Sequence, residues 1–363
     1  MNFKHRLSLF RSFFKKALFL FVTLILLITS VPGIAQNSAE ISTPDDDDIW
    51  AKTLGGLSFS EFWNYQIYLD NGMSLYIIFS VSNIHSSVSG IRVSMYNLDG
   101  QNYEINREYP LENLAQDEVE YKFDINPRQD NIWFKGKLPQ SHEIYINTDK
   151  SGDRFKIHLH FEDIHKGIKY GDGLYEVNGK SIGIITHIPF ARVSGYAGID
   201  DNVKDVTGTV YMDHTHQFGN PGKLLQSGYR FVQHTSEKNW ELTYFLNPQI
   251  SDRHDLIGYQ LSNDEGKVSA NTVKVEEDLI DYNSTNKEFP KEFHIYLEDG
   301  RKIKFFHQNE IDRRSVFDDL NWIARNLARR LVGGEYYDHR GIGKMQIHGS
   351  PARSGHFNYF IVH

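Results

Sequence analysis

The stretch His187-Ile-Pro-Phe-Ala-Arg-Val-Ser-Gly195, followed by Gly208-Thr-Val-Tyr-Met-Asp-His-Thr-His-Gln-Phe-Gly-Asn220, decides how this chain is read. Both segments read as short strands, joined by a polar, Gly-containing linker from Tyr196 to Gly208. Residues i and i+2 of a strand face the same side. Tyr211 and Asp213 therefore share one face, with Met212 and His214 on the other. A phenol and a carboxylate projecting together into a barrel, with His187 and His214 close by, point to a site.

The pattern extends outward in both directions. Trp63-Asn-Tyr-Gln-Ile-Tyr-Leu69 alternates, turns at Asn71-Gly72 and continues from Ser74 to Ser82. Asn-Gly and Asp-Gly between such runs mark hairpins, and Asp99-Gly100 and Asp299-Gly300 mark two more. Trp63 to Leu69 matches Trp240 to Leu246 in pattern, and Ile77 to Asn83 matches Ile257 to Asn263. Two related β-barrel halves follow, with their boundary near residue 200. Ser315 to Asp318 opens a helix whose Val316, Leu320, Ile323, Leu327 and Leu331 recur at helical spacing, ending at Gly333-Gly334. Asp338-His339-Arg340 reads as a strand end or turn.

The first 35 residues read as a signal peptide. Lys4, Arg6, Arg11, Lys15 and Lys16 precede an apolar run from Ala17 to Thr29, and Gly33-Ile34-Ala35 is a small-x-small cleavage site. The polar stretch 36–52, with Pro44 and four successive aspartates, reads as a disordered linker. The expected organisation is therefore leader 1–35, linker 36–52, first barrel 53–200 and second barrel 201–363. The chain is expected to be exported to the periplasm or secreted, and only an uncleaved leader would attach it to a membrane. Of 39 Lys+Arg and 47 Asp+Glu, the leader holds five basic and no acidic residues, leaving a net charge of −13. That acidity argues against nucleic-acid binding. No cysteine is present, so thiol catalysis, disulfides and Cys-ligated metals are excluded.

Several motifs in order resemble the two-domain lipocalin-like family of carotenoid 1,2-hydratase (hydroxyneurosporene synthase) and AttH-type proteins. They are Glu61-Phe62-Trp63-Asn64-Tyr65, Lys169-Tyr-Gly-Asp-Gly173, and Pro189-x-x-x-Val193-x-Gly195 leading to Gly208-x-x-Tyr211-x-Asp213-His214. The resemblance spans roughly residues 55 to 363. It implies an all-β protein, with two antiparallel lipocalin-like barrels side by side, an apolar pocket and a C-terminal helix. In the hydratases a His on the first central strand, and a Tyr and an Asp two apart on the next, are implicated in catalysis. Here they correspond to His187, Tyr211 and Asp213. The hydratases carry a Trp two residues after that His, where this chain has Pro189, followed by Phe190.

Adding water to an alkene needs a proton donor and a way to stabilise a cation. A carboxylic acid in an apolar pocket stays protonated, and Asp213 is the candidate. Tyr211 or Phe190 would face the cation, and His187 or His214 would orient Asp213 or take a proton from water. Phe190, Trp63 and Tyr65 are the expected ligand-binding aromatics. Two His-x-His pairs, His158/His160 and His214/His216, each place both imidazoles on one strand face, as zinc prefers. No third ligand stands at a telling spacing, so neither a metal nor another cofactor is expected. The leading expectation is an exported protein that binds an apolar terpenoid, polyene or other isoprenoid and hydrates or cyclises it. The alternative is a non-catalytic periplasmic lipid carrier, in which Asp213 and His187 are structural or contact a ligand headgroup.

Overall fold

The computed structural model describes residues 41–56, 58–83, 87–129, 131–150, 152–177, 179–219, 224–248, 256–265, 267–274, 291–315 and 334–362. The expected leader and the body of the expected C-terminal helix lie outside these residues.

Within them the chain is all-β, in two antiparallel sheets. The first contains β1 (Ile41–Ser42), β2 (Phe59–Leu69), β3 (Ser74–Ser82), β4 (Val88–Leu98), β5 (Gln101–Pro110), β6 (Ala115–Asp117), β7 (Lys122–Asp124), β8 (Ile132–Lys135), β9 (His142–Lys150), β10 (Asp153–Glu162), β11 (Ile168–Val177), β12 (Lys180–Ile199) and β13 (Asn202–Phe218). The second contains β14 (Leu225–Ser236), β15 (Asn239–Pro248), β16 (Ile257–Asp264), β17 (Lys267–Lys274), β18 (Glu292–Leu297), β19 (Lys302–Ser315), β20 (Tyr336–Ile347) and β21 (Arg353–Val362).

The first sheet runs β5-β4-β3-β2-β13-β12-β10-β9-β8-β7-β6 and curls around its own core without a closing ladder among the described strands. The second closes into a barrel where β14 pairs with β21. The expected hairpins are present, and their turn residues show why: Gly72, Asp99, Gly100 and Gly300 all take positive φ, the conformation that tight hairpin turns demand. Alternation decides which face is buried. Phe155, Ile157, Leu159 and Phe161 of β10 point inward, while Lys156, His158 and His160 point outward.

Three apolar clusters result. One fills the first sheet, around Trp63, Tyr65, Phe79, Phe134 and Met212. One fills the second barrel, around Tyr229, Phe231, Phe305 and Tyr359. The third lies between them. There Tyr175, Ile182, Ile184, Phe190 and Tyr211 of the first sheet meet Trp240, Leu242, Tyr244, Tyr259 and Leu261 of the second. This seam makes the outer face of β12 and β13 apolar over residues 182–191 and 210–217, so those stretches are buried on both faces.

Two sequence expectations change here and a third is resolved. First, residues 196–208 are strand, and the hairpin turns at Asp200-Asp201 instead. Ala197, Ile199 and Val206 are buried while Thr207 is exposed, so the polar composition reflects a solvated outer face. The first sheet thus extends to Phe218, and the two units divide between 219 and 225 rather than near 200. Second, the part of the expected linker that is described is ordered. Ile41 and Ser42 pair with β11, Asp46–Ile49 form a 3-10 turn, and Ile49 and Trp50 are buried. Third, of the two readings of Asp338-His339-Arg340, strand end or turn, the structure has the strand: they are the third to fifth residues of β20. The repeat does not extend to equivalent tryptophans: Trp63 packs inside the first sheet, Trp240 in the seam.

Candidate functional site

β13 divides the expected site in two. Tyr211 and Asp213 do share a face, but it points out of the first sheet into the seam. Met212 faces the core of the first sheet, and His214 and His216 lie on that same side. The neighbouring strand is reshaped by two irregularities. Thr186 pairs with Asp213, Ile188 with Met212 and Ala191 with Val210, so β12 holds an extra residue near His187 and another near Pro189-Phe190. Such bulges re-aim side chains. Thr186 reaches the seam, 2.6 Å from the Tyr259 hydroxyl, yet Ile188 two residues on packs in the first core. His187 is set against His214 on the inner side, their rings 5.7 Å apart. Phe190 turns to the seam, against His165 and His234.

The histidine side is built around Glu61. His214 Nε2 lies 2.6 Å from Glu61 Oε1, and His214 Nδ1 lies 3.0 Å from the Asp48 carbonyl. The Thr53 hydroxyl and the Lys52 and Thr53 amides donate to the same carboxylate. Burial alone would raise the Glu61 pKa, but the His214 hydrogen bond and charge, with the other donors, bring it below the usual value. The segment over this cluster is tied down by Lys169, whose Nζ is 2.8 Å from Asp48 Oδ2 and 3.3 Å from Asp45 Oδ2. Between that segment and the loop 136–140 lies a cavity of about 310 Å³, lined by Pro44, Ile49, Tyr121, Leu138 and Pro139, with Asp45, Asp46, Lys137 and Lys166 as its charged members. His187 is its buried histidine, 4% exposed. Its Nε2 has no hydrogen-bond partner. Burial and the neighbouring His214 push the His187 pKa well below the usual histidine value, so its imidazole is neutral.

The seam side is a charge network. Arg230 Nε lies 2.7 Å from Asp213 Oδ2, an ion contact whose N–H points off the oxygen, and Arg230 Nη2 donates to Oδ1 at 3.1 Å. Asn64 Nδ2 and the Thr215 hydroxyl also donate to Oδ1, at 2.7 and 3.2 Å. Arg230 continues to Asn358, and Asn358 to Asp338. Arg340 pairs with Asp338 and stacks over Tyr76. Desolvation opposes the charge on Arg230, but Asp213 and the surrounding tyrosines more than restore it. A guanidinium has donors only, so the Asp213 oxygens facing it act as acceptors. The sequence expectation of Asp213 as proton donor in an apolar pocket meets a different geometry: an ion pair joining the two units. The cavity beside Tyr76, Arg340 and Asn358 is only about 30 Å³.

The remaining expected ligand-binding residues sit in the cores. Trp63 stacks on His214 at 4.5 Å and donates to the Ile49 carbonyl. The Tyr65 hydroxyl lies 2.9 Å from His142 Nε2. Glu61, His214 and His216 bring three donor atoms within 4.8 Å of one another. Both Glu61 oxygens and both His214 nitrogens are already engaged, while His216 Nδ1 has no hydrogen-bond partner. Sequence reasoning missed Glu61 as a site residue, although its alternation with Trp63 and Tyr65 places all three on one face of β2. It also missed Arg230, a lone cation between Tyr229 and Phe231 on β14.

No protein-family model and no curated protein matches the chain. Solved structures do. CghA bound to Sch210972 aligns with a TM-score of 0.61 at 12% identity, covering 94% of this chain and 97% of CghA. A protein described as AttH from Nitrosomonas europaea aligns at 0.57 and 11% identity, covering 91% and 98%. Kievitone hydratase from Nectria haematococca aligns at 0.51 and 11% identity, covering 88% and 97%. No helix among the described residues is long and apolar enough to cross a membrane. The chain thus has the two-unit, lipocalin-like all-β fold of CghA, AttH and kievitone hydratase, as its motif resemblance implied.

Proposed function

We propose that this chain is an exported small-molecule-binding protein that takes a largely apolar ligand into the His187 cavity and converts it by hydration or cyclisation. The observation that carries this reading is that His187, which lines the cavity of about 310 Å³, keeps a buried Nε2 atom without a hydrogen-bond partner. A polar atom left unpaired in a buried position costs stability, and a ligand or a held water would satisfy it. A neutral imidazole there takes a proton from an attacking water or ligand hydroxyl as the C–O bond forms, and the imidazolium then returns that proton to the other carbon of the double bond, while the cavity walls confine the ligand near a reactive shape. In this reading His214 and Glu61 position His187, and the Asp213–Arg230 pair holds the two units together. The cavity lies at the small end of the range for drug-sized ligands, which favours a compact terpenoid or ring system, or one end of a polyene. CghA, solved with Sch210972, supports small-molecule binding on this fold, and kievitone hydratase supports hydration on it.

The carrier reading rests on the same cavity without the proton transfer. The two are separated by extracting the protein purified from its native host and identifying what it carries. The extract is then incubated with the wild type and with His187→Gln. Conversion by the wild type, with binding but no conversion by the variant, supports the enzyme. Equal binding without product from either supports the carrier. An empty protein with no affinity for the host's apolar extract refutes both.

A further inference from the structure

The second His-x-His pair is not part of that site. His158 and His160 lie on the outer face of β10, and the register sets His160 opposite Glu143 of β9 and His158 opposite Tyr145. His158 Nε2 and His160 Nδ1 each stand 3.2 Å from the same oxygen, Glu143 Oε2. The three donor atoms all lie within 4.8 Å of one another. The other Glu143 oxygen is held by Lys135 Nζ at 2.9 Å. We infer that Glu143, His158 and His160 form a binding site for a divalent zinc-class metal ion on the outer surface of the first sheet.

Four features carry this inference. A tetrahedral ion with bonds near 2.0–2.1 Å holds its ligand atoms about 3.3 Å apart, and both His-to-Glu spacings are 3.2 Å. The strand fixes both imidazoles on one face, so little side-chain freedom is lost on binding. Two imidazoles and one carboxylate suit zinc, nickel or copper, whereas calcium and magnesium prefer all-oxygen sets. Lys135 orients the carboxylate from its far oxygen, as groups behind a ligating carboxylate commonly do. The side chains of Glu143, His158 and His160 are 19%, 28% and 50% exposed, so an ion has a way in. Three protein ligands leave the fourth position to water or an incoming donor, beside Tyr145 and Tyr196, whose rings flank His158. The positive charge of Lys135 opposes the ion and argues for modest affinity. The ion would fasten β9 to β10 on the surface opposite His142 and Tyr65.

The test is calorimetric titration of Zn²⁺ into the chelator-stripped full-length protein, repeated with Co²⁺ followed by visible absorption. The expected result is one equivalent bound at roughly micromolar or tighter Kd, with cobalt bands of a four-coordinate site. His158→Ala and His160→Ala should each weaken binding by at least about tenfold while leaving the metal-free unfolding midpoint unchanged. Absence of binding at micromolar Zn²⁺ would overturn the inference. So would binding that survives in the double variant, which would place the ion elsewhere, with the Glu61 cluster first among the alternatives.

Discussion

The two faces of β13 bury comparable amounts of polar chemistry and use it differently. On the seam face, Asp213 meets Arg230, Asn64 and Thr215 from three elements, and the charges are matched to each other. The neighbouring cavity is about 30 Å³, room for one or two waters. On the inner face, Glu61 and His214 bond to each other, while His187 beside them lines a cavity of about 310 Å³ and keeps an unpartnered Nε2, as His216 keeps an unpartnered Nδ1. Burial of a titratable group therefore does not by itself mark a site. An unsatisfied atom does not either, since Gln66 Nε2 and Arg340 Nε beside the small seam cavity are also unpartnered; what distinguishes the inner face is the volume of the cavity that His187 lines. Strand alternation turns His187 away from the seam that Thr186 faces, and the bulge beside it brings Ile188 to the inner side as well.

Removing one partner of the seam pair should do the most damage. Arg230→Ala leaves the Asp213 carboxylate buried without its cation, and breaking a buried pair in this way costs about 3–5 kcal/mol. Urea unfolding would show it as a large fall in midpoint. Replacing both partners, as Asp213→Leu with Arg230→Met, should recover most of that loss. Failure of the double variant to recover would mean that the pair does more than join the two units.

Acid should weaken the inner face next. Burial holds His142 down to about 3 and His216 to about 4, against 6.5 for a free histidine. Above about pH 6.5 both are neutral in either state. Below it the unfolded chain takes up protons that the folded chain refuses, so stability falls as pH drops toward those folded-state values. Two such histidines cost about 2 kcal/mol between pH 6 and pH 5. Glu61 has a folded-state pKa below its usual 4.5, so its contribution persists above that value and fades only as pH falls below it. Thermal unfolding across pH 7 to 4 should show the histidine loss first. A flat profile from pH 6.5 to 5 would contradict the buried neutral histidines.

A smaller effect is expected at Gly183. A Cβ there would stand 1.9 Å from the His216 ring, so Gly183→Ala forces the ring aside at about 1–3 kcal/mol. The cost should shrink in a His216→Ala background, which sharpens the claim that the two share one space. Unfolding midpoints of the single and double variants measure it.

Much of the fold was legible in the sequence. Turn chemistry at Asn71-Gly72, Asp99-Gly100 and Asp299-Gly300 located hairpins because positive φ there depends on local residues alone. The shared face of Tyr211 and Asp213 followed from strand periodicity. Which way that face points did not, because a strand buried on both sides carries no polar face to orient it. The bulges at His187 and Pro189-Phe190 depend on register against β13, which no local pattern encodes. The aspartate run at 45–48 read as solvated because its cations, Lys169 and Lys137, come from distant parts of the chain. Arg230 and Glu61 were missed for the same reason: each is an ordinary charge until its partner across the fold is known.

The most direct test compares His187→Gln with Asp213→Asn, measuring unfolding midpoint and retention and conversion of the native ligand on the same preparations. The account predicts that His187→Gln stays within about 1 kcal/mol of the wild type, since its Nε2 has no hydrogen-bond partner to lose and Gln nearly keeps its size, yet loses conversion of the ligand. It predicts that Asp213→Asn is clearly destabilised while whatever remains folded still binds and converts. The reverse pattern, with His187→Gln active and Asp213→Asn stable but inactive, would contradict it and return the chemistry to the seam.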